Sequence, residues 1–444
     1  RRLAPDVYLG VADVVMDGVP VEHLVVMRRL PDRARLASLV RRGTAVGHEL
    51  RQVARVLAAF HAAAQRSPTI DEAGRPGRVL ALWEGNLDEL RPYVGPVLDP
   101  GVQARLAELA RGYLAGRTAL LWSRVEAGRI CDGHGDLQAE DIFCLPDGPR
   151  ILDCIEFDDA LRHGDVLADV AFLAMDLERL GASEAAASFL ADYREFSGDG
   201  FPASLASHYA AYRALVRAKV SCLRHAQGDA WMAQAAANYQ RWALAHLERA
   251  RIRLVLIGGL PGTGKSTLAE ALGAERGWVV LRSDQVRKEL AGLAPEDPAP
   301  APWREGLYRS EQTEATYRTL FRRAAALLAR GESVVLDASF ADSRWRALGA
   351  KVAREAWAEL VELRCETPFS EAVRRLSARA ATGDPSDADA DVARVMAATA
   401  DPWPSSTTVN TWVPPATALA AVEALLAGTG TAREGARVRV ESGA

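Results

Sequence analysis

Leu254–Leu268 reads LVLIGGLPGTGKSTL, and the fold of the second half of the chain follows from it. An apolar run of β type ends in Gly258-Gly259, and a Leu/Ala-rich pattern of helical spacing begins directly after Lys265-Ser266-Thr267. Between them, Gly259-x4-Gly264-Lys265-Ser266 has the spacing of a phosphate-binding loop. Glycines allow successive backbone amides to turn inward around a phosphate, at the positive end of the helix that starts there. Gly259, Gly262, Thr263, Gly264, Lys265, Ser266 and Thr267 are therefore candidate nucleotide contacts. Lys265 reaches toward the β- and γ-phosphates in this reading, and the Ser266 hydroxyl is a ligand for Mg²⁺.

Working outward from this loop, β-type runs recur at 253–257, 278–282, 333–337, 360–364 and about 406–412, joined by helical patterns. Regular alternation of this kind predicts a parallel five-stranded sheet covered on both faces, with ligands collecting at the carboxyl ends of the strands. Asp284 and Arg287 follow the second run, and Asp337 ends the third, with Arg344 and Arg346 just beyond it. Arg375 and Arg379 are four apart and so share one helix face. The Pro-rich stretch 294–302 reads as a loop over the site, with Tyr308, Glu311 and Tyr317 following. Residues 429–444 carry no core-forming pattern and read as a disordered tail.

The first half reads differently. Two β-type runs, 7–16 and 21–27, flank Asp17-Gly18, a hairpin turn signal. Helical patterns follow at about 33–41 and 47–65, where His61 reads as a packed histidine. Residues 66–100 hold many Pro and Gly and read as a loop-rich connection; helix resumes through about 102–127. Next comes Asp132-Gly-His134-Gly135-Asp136, with Asp141 five residues past Asp136 and Asp153 in or at the end of a β-type run. Gly164-Asp165-x3-Asp169-Val-Ala171 lies beyond it, and 165–250 is helical in pattern throughout. One carboxylate to orient or deprotonate a hydroxyl, and two to hold Mg²⁺ against phosphates, is the set that phosphoryl transfer needs. Lys219, among Arg213, Arg217 and Arg224, reads as a solvated or interdomain helix face and not as a ligand site.

Composition narrows the class. The chain has 444 residues, 49% hydrophobic and 25% charged, which is ordinary for a globular protein of two or three domains. A net charge of −4 gives no global attraction to nucleic acid or anionic membrane. No apolar run reaches the roughly 18 residues of a membrane span. The five cysteines are scattered without metal-ligand spacing, as expected of reduced thiols in a cytoplasmic protein. Only four lysines occur, at 219, 265, 288 and 351; one of them stands at the phosphate-loop position, and none precedes 219.

On these motifs, residues 1–250 resemble an aminoglycoside-phosphotransferase-like domain of protein-kinase type. Residues 251–428 resemble a small P-loop kinase of the "predicted kinase" type, akin to zeta-toxin and polynucleotide-kinase folds. The resemblance implies an α+β kinase-like domain with a truncated N-lobe and a helical C-lobe, followed by an α/β P-loop domain. It implies ATP and Mg²⁺ at both. Asp136 would be the catalytic base, Asp153 and Asp141 metal ligands, Asp169 a brace for the catalytic loop, and Met27–Leu30 the segment that meets adenine. In the second domain Asp284 would contact the acceptor hydroxyl and Arg287 and Arg344 the substrate. Ser266 and Asp337 would hold Mg²⁺, and Arg375 and Arg379 would neutralise charge on the transferred group. Two departures stand out: the family's asparagine ligand is Asp141 here, and the N-lobe lysine is absent. That lysine is expected upstream of Arg1, the alternative being a pseudokinase. The expected activity is a phosphotransferase acting on a hydroxyl of a sugar, aminoglycoside-like molecule or nucleoside. A polynucleotide 5′-hydroxyl kinase, or an ATP-hydrolysing switch with an N-terminal binding module, are the alternatives.

Overall fold

The computed structural model describes residues 2–294, 297, 309–379 and 390–428, with the Arg379 side chain outside that description. The chain divides after Ala250 into two compact units.

The first unit opens with an antiparallel hairpin, β1 (Tyr8–Met16) and β2 (Val19–Met27). Asp17 and Gly18 both take positive φ, 53° and 81°. That pair of conformations is the two-residue turn whose twist matches a right-handed hairpin. Apolar side chains stand exposed on both faces of the ribbon; Val11 and Met16 are 69% and 64% exposed. Helices α1 (Leu36–Arg41), α2 (Gly47–Ala63), α3 (Pro68–Asp71), α4 (Pro76–Leu90), α5 (Pro100–Gly116) and α6 (Thr118–Glu126) follow. The loop-rich connection expected over 66–100 is thus wrong. Pro76 occupies the first helical turn, where its missing N–H costs nothing, and starts α4 instead of breaking a helix. Trp83 and Leu90 then bury one face of it.

Short strands carry the middle of this unit: β3 (Ile130–Asp132), β4 (Ile142–Leu145), β5 (Gly148–Ile151) and β6 (His163–Asp165). β3 pairs with β6 and β4 with β5, all antiparallel. The chain between β3 and β4 carries Asp136 and Asp141, and that between β5 and β6 carries Asp153. Four helices finish the unit: α7 (Val166–Arg179), α8 (Ser183–Ser197), α9 (Ala203–Ala226) and α10 (Met232–Arg249). Eleven of the fourteen residues of α7 are buried, so it is the central element on which the loops rest.

The second unit alternates strand and helix: β7 (Arg253–Gly258), α11 (Lys265–Arg276), β8 (Val279–Arg282), α12 (Ser283–Leu290), α13 (Ser310–Ala329), β9 (Val334–Asp337), α14 (Ser343–Glu355), β10 (Glu359–Glu366), α15 (Phe369–Arg379), α16 (Ala390–Thr399), β11 (Thr407–Asn410) and α17 (Pro415–Gly428). The sheet is parallel throughout, in the order β11-β10-β7-β9-β8. β7 is buried at every residue, as a central strand covered on both faces must be. Val255, Ile257, Leu268, Leu272, Val335, Leu363 and Val422 form the core of one such layer. With β10 on one side of β7 and β9 on the other, the crevice of an open parallel sheet opens at the carboxyl end of β7. The loop after β7 lies there.

Candidate active sites

In the second unit the loop after β7 owes its path to glycine. Gly259 has φ 134°, and a Cβ on it would stand 2.7 Å from the Cys365 carbonyl oxygen. Gly262 has φ 80°, and its Cβ would fall 2.5 Å from the Ala372 carbonyl. No L side chain fits either position. The Thr263 hydroxyl donates to the Leu260 carbonyl, and Thr411 donates to the Thr263 carbonyl, so the loop is tied at both ends. Lys265 arches back and donates to the Leu260 carbonyl at 2.9 Å. Its ammonium makes no ion pair among the described residues, which leaves a cation available to an anion.

Lys265 faces a cavity of about 500 Å³. Gly262, Gly264, Ser266 and Thr267 line it from the loop and α11, Asp337 from β9, and Arg375 from α15. Asp337 is buried; burial pushes its carboxyl up, while the Lys265 charge and a hydrogen bond from Ser266 pull it down. Asp284 lines the same cavity from the first turn of α12. It accepts from the Arg287 guanidinium at 2.6 Å, so both side chains of that pair are locked in one arrangement. Tyr317 closes the wall, stacked on Trp345 with ring centroids 4.6 Å apart; its hydroxyl bonds Ser339. Arg375 donates to Glu371 and to the Thr411 carbonyl.

Several expected contacts lie elsewhere. Gly259 and Thr263 line a second cavity of about 750 Å³ behind the loop. Arg344 is 54% exposed, pairs with Asp342 and covers the Trp345 ring, outside the cavity that holds Asp284. Its place after β9 marks the right loop, but its side chain leaves along the solvent side of α14. Arg346 is buried and donates to the Phe340 and Pro402 carbonyls, a structural tie. Glu311 is exposed, while Thr313, one turn before Tyr317, lines the cavity and carried no sequence signal. The Arg379 side chain, Tyr308, most of the Pro-rich stretch and the tail lie outside the described residues.

In the first unit, β3 delivers the loop Gly133–Asp141 against α7. Asp169 accepts from the backbone amides of His134 at 2.6 Å and Gly135 at 2.9 Å, and from His61 Nε2 at 3.4 Å. Burial alone would raise its carboxyl; the His61 hydrogen bond and the charges around it hold it well below the usual range. His61 is in turn bonded to the Tyr193 hydroxyl. Asp176, also on α7, accepts from the Ala139 amide at 3.0 Å and anchors the far end of the loop. Nothing in the sequence set Asp176 apart from the apolar helix around it. Arg124, buried, forks onto Asp165 and Asp199 and fixes the start of α7.

Asp136 is half-buried and accepts from Gln138 at 3.0 Å; burial raises its carboxyl, and the charges of Arg217 and Arg213 oppose that rise. Asp141 is pushed up to about 7, first by burial and then by the negative charges of Asp153 and Asp136. Asp153 sits past the end of β5 with φ 63°, its amide donating to the Tyr8 hydroxyl. It lines a cavity of about 470 Å³ between the β1–β2 hairpin and the loop after β5. Met27, 41% exposed, and Leu30 do not line that cavity. The three carboxylates feel one another, yet among the described residues no group of three or more His, Cys, Asp or Glu side chains is close enough to hold a metal ion.

Residues 5–203 match the Phosphotransferase enzyme family, and residues 254–403 match an AAA domain family. The chain thus carries two domains of kinase-like phosphotransferase families. It is 41% identical over 411 residues to an uncharacterized protein, Rv2004c, of Mycobacterium tuberculosis and to one of Mycobacterium bovis, over 92% of this chain and 82% of theirs. It belongs to the family of these mycobacterial proteins. Among solved structures, the Mycobacterium tuberculosis APS kinase CysC in complex with AMPPNP and APS is 23% identical, with a TM-score of 0.31, over 40% of this chain and 99% of that one. A sugar kinase from Janibacter sp. is 17% identical, with a TM-score of 0.31, over 40% of this chain and 95% of that one. Among the described residues no helix is long and apolar enough to cross a membrane.

Proposed function

We propose that the C-terminal domain transfers the γ-phosphoryl group of ATP to a hydroxyl of a small molecule held beside Asp284, and that the N-terminal domain performs similar chemistry at Asp136. The observation that carries this reading is the convergence, in one cavity, of Lys265, Ser266 and Asp337 with the Asp284–Arg287 pair. An ATP-operated switch needs the first three and has no use for the last two.

The residues fit a nucleotide with Mg²⁺. Gly262 and Gly264 of the loop line the cavity, Lys265 makes no ion pair among the described residues, and Ser266 and Asp337 offer hard oxygen ligands. When bound, the nucleotide supplies the phosphoryl group and the metal neutralises its charge. Lys265 would hold the β- and γ-phosphates, and Arg375 would face the equatorial oxygens. Arg287 would fix Asp284 so that its free carboxylate oxygen takes the proton of the acceptor hydroxyl as the hydroxyl oxygen bonds to phosphorus. The bond from phosphorus to the bridging oxygen then breaks, and ADP leaves. Buried Tyr317 and its stacked partner keep water from competing.

The test is γ-labelled ATP incubated with pooled sugars, aminoglycosides, nucleosides and short oligonucleotides, using wild type, Lys265→Ala and Asp284→Asn. Label should pass to a small molecule and be lost in both variants, with ATP binding kept in Asp284→Asn. Transfer to oligonucleotides alone would make the acceptor a polynucleotide end. ATP hydrolysis without a labelled product, equal in wild type and Asp284→Asn, would replace this reading with the switch.

A further inference from the structure

Arg213 and Arg217 are one turn apart on α9, so both side chains leave the same face of that helix. The face is not solvated. Arg213 is 14% exposed, lies over the Phe172 ring of α7 and places Nη2 3.8 Å from Asp169 Oδ1. Asp169 is the carboxylate that receives the His134 and Gly135 amides, so the arginine face abuts the loop that carries Asp136. Arg217 and then Arg213 are the cations that act most strongly on Asp136.

Arg213 has Asp169 as its ion-pair partner, while Arg217 is left without one among the described residues. Asp136 takes its hydrogen bond from Gln138, not from a guanidinium. Arg217 makes no side-chain hydrogen bond or ion pair among the described residues. The Nε atoms of both arginines are buried without a partner. Withdrawing guanidinium donors from water without an acceptor is costly, and an anion that enters the site removes that cost. The planar fork of arginine matches the oxygens of a phosphate or carboxylate group. A polycationic acceptor would bring like charge against both arginines, which selects against it.

We propose that the acceptor of the N-terminal domain is a small hydroxylated anion, whose phosphate or carboxylate group is held by Arg213 and Arg217 with its hydroxyl toward Asp136. This rests on the reading of Asp136 as the group that takes the acceptor's proton, given above. Arg217 sets affinity for the charged end; it does not touch the reacting atoms.

Four probes on one scaffold test it: glucose, glucosamine, glucuronate and glucose 6-phosphate, with inorganic phosphate as the minimal anion. Binding to the full chain is measured by calorimetric titration and by the shift of the N-terminal melting transition, without ATP. Wild type, Arg217→Gln, Arg217→Lys and Lys265→Ala are compared, the last because the phosphate loop also takes anions. The expected result is binding of at least one anionic probe, weakened tenfold or more by Arg217→Gln and partly restored by Arg217→Lys, with that Arg217-dependent component still present in Lys265→Ala. A phosphate preference and a carboxylate preference are separated by glucose 6-phosphate against glucuronate. Tighter binding of glucosamine than of the anions, anion binding indifferent to Arg217, or no anion effect at all would overturn the proposal. A labelled-ATP assay on the bound anion then separates the two readings. Arg217-dependent binding without transfer leaves the acceptor class standing and removes the phosphotransferase reading of Asp136.

Discussion

Asp141→Asn tests the electrostatics of the first unit directly. The Asp141 carboxyl is raised from 3.8 to about 7, by burial and by the charges of Asp153 and Asp136. A carboxyl raised on folding holds its proton in the native state where the unfolded chain has lost it. The contribution of Asp141 to stability is therefore complete below about pH 4, falls as pH rises toward 7, and is flat above that. A shift of about three units corresponds to about 4 kcal/mol at 1.36 kcal/mol per unit. The titration is shared among interacting carboxylates and partly relieved by solvent, so about 2 kcal/mol is the working figure. Asparagine keeps the shape and removes the charge. In a domain of this size that gain moves the melting temperature by about 4–8 °C. Scanning calorimetry of the full chain, free of Mg²⁺, should show the N-terminal transition rising by that amount at pH 8 and by less than half as much at pH 5. A variant no more stable than wild type at pH 8, or a gain equal at both pH values, would refute the argument.

Three further outcomes follow from the geometry. Asp169→Asn leaves one of its two backbone donors facing an amide and strips a buried charge from His61 and Arg213; a loss of about 3 kcal/mol is expected, read as a lower urea midpoint for the N-terminal transition. Gly262→Ala meets both a positive φ and the Ala372 carbonyl, so the P-loop unit should lose more than about 1 kcal/mol and its ATP-dependent rise in melting temperature. Arg124→Met strands Asp165 and Asp199 together and should cost about 3–5 kcal/mol at neutral pH, read as a lower urea midpoint for the N-terminal transition.

The second unit was legible because its signals are local. A strand buried on both faces has to be apolar along its middle, and β7 is from Leu254 to Ile257, its first residue Arg253 being paired with Glu359; a loop whose Cβ atoms would strike Cys365 and Ala372 has to be glycine. The α4 helix was missed because Pro76-Gly77 reads as a breaker, although proline in the first turn of a helix starts one. The sequence groups Arg213 and Arg217 on a helix face with Lys219 and Arg224 but carries no information on what that face meets, and Phe172 and Asp169 are more than 35 residues away in sequence. Asp176 was invisible for the same reason: its role is set by the Ala139 amide across the fold. Arg344 shows the converse, a residue in the right loop whose side chain leaves along α14.

His134 joins two parts of the N-terminal site that the chain makes separately. Its Nδ1 accepts from the Asp136 amide at 3.3 Å, which leaves Nε2 to donate to the Leu152 carbonyl at 2.9 Å, and its own carbonyl receives the Ile155 amide. The ring is thus held in a single tautomer, and burial lowers its readiness to take a second proton. It acts as a peg through both loops: the one bearing Asp136 and the one bearing Asp153 cannot shift independently while the peg is seated. The positions of Asp136 and Asp153 are thus fixed against one another through one buried ring. The buried imidazole is in this sense a gear tooth and not an acid or a base, which makes its shape, more than its chemistry, the property on which the two halves of the site depend.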